Sequence, residues 1–176
     1  PGGTLVLRDL VARGDVIADT IYEDEDRTQP TMFREWVRTF EKRVRDKYFE
    51  SVGTYSLDSS TMWADALMSH IMSTDKKGSR AGEAPNFYRD YNPQKVQVQN
   101  WIKRILTIPC DVVITGHLTE HYNEIIRNKG TEDEEVIREI VEYKYMTTGQ
   151  GARYVPLLFD EQWVTFATEK GGGIEY

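Results

Sequence analysis

Asp58, Ser59, Ser60 and Thr61 set one acid and three hydroxyls side by side where an apolar run, Val52 to Leu57, gives way to a helical pattern. A carboxylate at such a junction is a hard oxygen ligand, suited to Mg2+ directly or through a bound water. It also suits a plainer task. Asp and Ser are favoured just before a helix, where a side-chain oxygen accepts from a backbone amide that lacks a helical partner. A second apolar run, "CDVVITGH", closes on Thr115, Gly116 and His117. In open parallel sheets ligands sit outside the carboxyl ends of the strands. If the two runs are neighbouring strands, Asp58 and His117 face one crevice.

His117 to His121 ("HLTEH") also matches H-x-x-E-H. In that pattern two histidines on one helix face bind zinc and the glutamate acts as base. A zinc-dependent hydrolase using His117, Glu120 and His121, with Glu124 as a further ligand, is therefore one alternative. Against it, His117 follows an apolar run and a glycine rather than sitting inside a helical pattern. "YEDEDR" (Tyr22 to Arg27) is acidic enough to suggest a metal and equally a solvated loop. "KKGSR" (Lys76 to Arg80) is a basic loop able to touch nucleic-acid phosphates or simply to face water.

The elements that must position these residues are legible from periodicity. Phe33, Trp36, Val37, Phe40, Val44 and Tyr48 recur three and four apart, which predicts a helix over 31–50 with Arg and Lys on its other face. Met62, Trp63, Ala66, Leu67 and Ile71 predict a second helix after Asp58, capped by Ser59 or Ser60. A polar loop bearing Gly and Pro follows, and Asn92-Pro93 starts a third helix carrying Val96, Trp101, Ile102, Ile105 and Leu106. Strands are expected at 4–7, 16–22, 52–57 and 110–117. Beyond them, "EEVIREIVEYKYM" reads as a strand, "TTGQGARY" as a glycine loop, and "QWVTFATEKGGGIEY" as strand, Gly turn, strand. The two central strands are apolar nearly throughout, as strands buried on both faces are, and helices between them demand a parallel crossover. The expected class is α/β with a largely parallel sheet and antiparallel strands from the C-terminal part.

Composition narrows the partners. The 176 residues hold 22 Lys and Arg against 29 Asp and Glu, a net charge of −7, which excludes a strongly basic clamp over the whole surface but not a local basic segment. One cysteine, Cys110, cannot form an internal disulfide and fits a reducing compartment. No apolar run approaches 18 residues, so no transmembrane helix and no membrane partner are expected.

Three segments, "GTYSLDSSTMWADAL", "NWIKRILTIPCDVVITGHL" and "YKYMTTGQGARYVPLLFDEQWVTFAT", together resemble the C-terminal two-thirds of phage-encoded RecA-like P-loop ATPases of recombination and replication modules. The resemblance covers roughly residues 31 to 167. It implies a three-layer RecA-like core, one domain spanning 1–176 and truncated at both ends, that binds and hydrolyses ATP with Mg2+. It makes Leu57-Asp58-Ser59 the end of the Walker B strand, with Asp58 the metal-side acid, and sets Thr115 and His117 at the following sensor strand. Glu23, with Glu25, becomes the candidate catalytic glutamate. Lys144 and Arg153 become candidates for a basic residue reaching a neighbouring subunit's γ-phosphate. It further implies a homo-oligomer, single-stranded DNA or recombination and replication proteins as partners, and the host cytoplasm as location. The G-x-x-x-x-G-K-[ST] loop that cradles phosphates is absent from the 176 residues, and the resemblance places it upstream of Pro1. A non-catalytic α/β structural or scaffolding module of a phage is the alternative of another class.

Overall fold

The computed structural model of the protein describes residues 7–19, 29–75, 77–127, 135–146, 154–165, 168–170 and 173–175. They form a mixed α/β fold with one two-stranded parallel sheet and two antiparallel hairpins. The chain divides into two compact units, Pro1–Gly116 and His117–Tyr176.

In the first unit α1 (Arg8–Arg13) ends at Gly14, whose φ of 80° is the left-handed conformation that glycine enters at no steric cost. Then come α2 (Met32–Arg45), a 3-10 turn (Tyr48–Ser51) and β1 (Thr54–Leu57). They are followed by α3 (Ser60–Ser73), a π-helical turn (Phe87–Tyr91), α4 (Asn92–Ile105) and β2 (Asp111–Ile114). The three long helices lie within a few residues of the predicted ones, because their apolar stripes recur at the helical period. Proline at the start of α4 fits, since a first-turn amide has no helical acceptor to lose.

The core is aromatic. α2 buries Phe33, Trp36 and Phe40, and Trp36 stands at the centre of the cluster. Its ring stacks on Phe40 at 5.2 Å and meets Trp63 of α3 and Trp101 of α4 edge-on at 5.2 and 5.3 Å. Pairs of this kind add about 0.5–1.5 kcal/mol each beyond the area they bury. The Trp36 indole N–H donates to the Tyr55 hydroxyl at 3.2 Å, fastening α2 to β1. Leu67, Ile102 and Ile105 fill the space between α3 and α4 and are almost wholly buried. Gln94 is buried there too and donates from Nε2 to the Ala64 carbonyl at 2.7 Å. Met62 and Val96, assigned to apolar stripes by spacing, are instead exposed, while Met68 and Val98 are buried.

A charged network shapes the segment between α3 and α4. Asp90 is 1% exposed and accepts from Arg80 and from the Asn86 amide. Asp75 lies 3.4 Å from Arg80 and 2.5 Å from Arg89. The Asn86 side chain accepts from the Tyr88 and Arg89 amides, each at 3.1 Å, and so opens the π-helical turn. Burial pushes the Asp90 carboxyl up, but the Arg80 and Asn86 bonds outweigh it and hold the group below its ordinary value. Asp75 is drawn down to about 2, first by the Lys77 amide and then by Arg89.

β1 and β2 are parallel, with Leu57 opposite Ile114 and Thr54 opposite Asp111. α3 and α4 make the crossover that parallel strands require. The expectation of strands buried on both faces is corrected. Tyr55 and Leu57 turn toward the helices, whereas Ser56 and Val113 are exposed, the alternation of a sheet covered on one side. The expectation of a largely parallel sheet is narrowed as well: among the described residues β1–β2 is the only parallel pair.

The second unit is built on a long hairpin, β3 (Leu118–Arg127) and β4 (Glu135–Tyr145). The Met146 amide donates to the His117 carbonyl at 2.8 Å and closes its base. A register shift at His121/Tyr122 marks a bulge. Only β4 was predicted. "LTEHYNEIIR" interleaves charge with apolar residues too irregularly to read as a strand, and its strand form depends on the β4 ladder. A 3-10 turn (Pro156–Leu158) and a short hairpin of β5 (Thr168–Lys170) and β6 (Gly173–Glu175) complete the unit. Residues 162–165, predicted as part of a strand, are irregular. Residues 16–19 carry no strand, and 4–6, 20–22 and most of the glycine loop (147–153) lie outside the described residues. No helix among the described residues is long and apolar enough to cross a membrane.

Candidate functional site

Two strand ends meet at the site. The Thr115 amide donates to the Leu57 carbonyl at 3.1 Å, which carries the β1–β2 ladder one step past its last paired residues. The Thr115 carbonyl then accepts twice from Ser60, from the amide at 3.0 Å and from the buried hydroxyl at 2.6 Å. Across the junction the Thr115 hydroxyl donates to Oδ1 of Asp58. The Asp58–Ser59 peptide is cis. Ser59 takes extended backbone, and its Oγ accepts from the Met62 amide at 3.4 Å, so Ser59 rather than Ser60 is the N-cap of α3.

The helix cap is therefore supplied by Ser59, and the Asp58 carboxylate instead accepts from Thr115. Asp58 is exposed at the carboxyl end of a parallel strand, and among the described residues no hydrogen bond reaches its Oδ2. A single oriented carboxylate with one open oxygen fits Mg2+, which keeps most of its waters and uses one or two carboxylates alongside substrate phosphates. Among the described residues no three His, Cys, Asp or Glu side chains gather where they could hold a metal ion.

Of the residues singled out in the sequence, the structure brings Asp58, Ser59 and Thr115 together. His117, exposed, begins the second unit, and its carbonyl is engaged by Met146. Lys144 lies on β4 in contact with Glu142 at 3.2 Å, opposite Thr119 in the ladder. Glu23, Glu25 and Arg153 lie outside the described residues. Glu120 and His121 are consecutive residues of a strand, so their side chains leave opposite faces of the ribbon. The H-x-x-E-H geometry that would gather zinc on one helix face does not arise there.

Ser60 was missed by sequence reasoning beyond its place in a helix start. Its signal was the second hydroxyl in "DSS", which reads as a redundant cap until the neighbouring strand supplies the carbonyl it binds.

Comparison of the chain with protein-family models, with curated proteins and with solved structures gives no match in any of the three.

Proposed function

We propose that the chain is a RecA-like P-loop ATPase domain with Asp58 at the end of its Walker B strand, binding and hydrolysing ATP with Mg2+, in phage DNA recombination or replication. The observation that supports the reading most is the pairing of Asp58 and Thr115 at the carboxyl ends of two parallel neighbours joined through helices. Ligand chemistry concentrates at such ends in α/β sheets.

In this reading each residue has a separate task. Thr115 holds Oδ1 of Asp58 and so aims the carboxylate, leaving Oδ2 without a hydrogen bond among the described residues. Ser60 holds the Thr115 carbonyl and fixes the junction between strand end and helix. A bound Mg2+ supplies positive charge that offsets the charge of the phosphates. The resemblance makes His117, which begins the second unit, a candidate sensor residue. Lys144 and Arg153 are the candidates for a charge contributed to a neighbouring subunit in a homo-oligomer. The three-layer core requires further strands beside β1 and β2 and a helical layer on the sheet face where Ser56 and Val113 are exposed.

The test is ATP binding and turnover by the full-length gene product, with and without single-stranded DNA, beside its Asp58→Ala variant. The reading expects turnover in the parent and loss of most of it in a folded variant. A parent that neither binds nor hydrolyses ATP overturns it and leaves a non-catalytic α/β module, with Asp58 a structural partner of Thr115.

A further inference from the structure

We draw no further inference here: the strongest candidate, the exposed apolar face that Leu118, Tyr122, Ile140 and Tyr143 share on the β3–β4 hairpin, carries nothing because nothing in the structure shows what covers it.

Discussion

The Thr115 hydroxyl donates to Oδ1 of Asp58, tying together the ends of two parallel strands that lie 57 residues apart in the chain. The bond has two parts, an acceptor that carries charge and a donor that aims it, and substitution separates them. Asp58→Asn keeps an acceptor oxygen and loses the charge. In the full-length product it is expected to fold like the parent, with a urea midpoint essentially unchanged, and to lose most ATP turnover. Thr115→Val is expected to lower turnover less, because the carboxylate remains but swings free. If Thr115→Val abolishes turnover while Asp58→Asn spares it, the assignment of roles is reversed.

Ser60 bears on stability and not on phosphate chemistry. Its hydroxyl is buried and binds the Thr115 carbonyl, which keeps the Ser60 amide as a second donor. Ser60→Ala therefore removes the hydroxyl bond to the Thr115 carbonyl without orphaning that carbonyl, and is expected to cost about 1 kcal/mol. Equilibrium urea unfolding reads this directly. A cost above about 3 kcal/mol would mean that the hydroxyl supports more than this one junction.

Removing Asp90 is expected to be far more costly. Asp90 is 1% exposed and is bound by Arg80, whose own side chain is 14% exposed. Asp90→Ala leaves a nearly buried guanidinium without its main partner, and is expected to cost about 3 kcal/mol or more. Glu124→Ala provides the contrast. The Glu124–Arg138 pair at 3.2 Å is exposed on both sides, and its loss is expected to cost less than about 0.5 kcal/mol. Equal costs for the two variants would refute the ranking by burial.

The same network makes stability depend on pH in acid. Asp75 has a folded value of about 2 against an ordinary 3.8, and Asp90 is also lowered. A carboxylate lowered on folding contributes its stability above the unfolded value and loses it as pH falls through the folded one. The urea midpoint is expected to hold near neutral pH and to fall between about pH 5 and pH 2. Asp75→Asn should flatten part of that fall. An identical acid profile in the variant would sink the assignment to Asp75.

Phe40 tests whether the aromatic cluster is the stabilising core of the first unit. It is buried between Trp36, Phe49 and Tyr55, at ring separations of 5.2, 5.5 and 6.1 Å. Phe40→Ala is expected to cost about 3–5 kcal/mol. Near-ultraviolet circular dichroism should weaken along with the midpoint, because the four rings report on one another. A small loss with an unchanged aromatic signal would place the core elsewhere.

Local patterning alone determined the three long helices and the two central strands. Phe33, Trp36 and Phe40 can share a face only if the chain turns every 3.6 residues, and an apolar run closed by Asp58 and Ser59 has few ways to continue except as strand, cap and helix. The stripe of Arg34, Arg38, Lys42 and Arg45 was visible in the same way, as the side of α2 that the core does not claim. Tertiary structure decided what depends on a partner distant in sequence. It chose Ser59 over Ser60 as the cap by bringing the Thr115 carbonyl to Ser60. It set Thr115 against Asp58, made a strand of "LTEHYNEIIR" by laying it along β4, and left Ser56 and Val113 exposed. The reason is range. Periodicity and capping act over a turn or two of chain, whereas a hydrogen bond across 57 residues exists only once α3, α4 and the sheet have brought its two ends together.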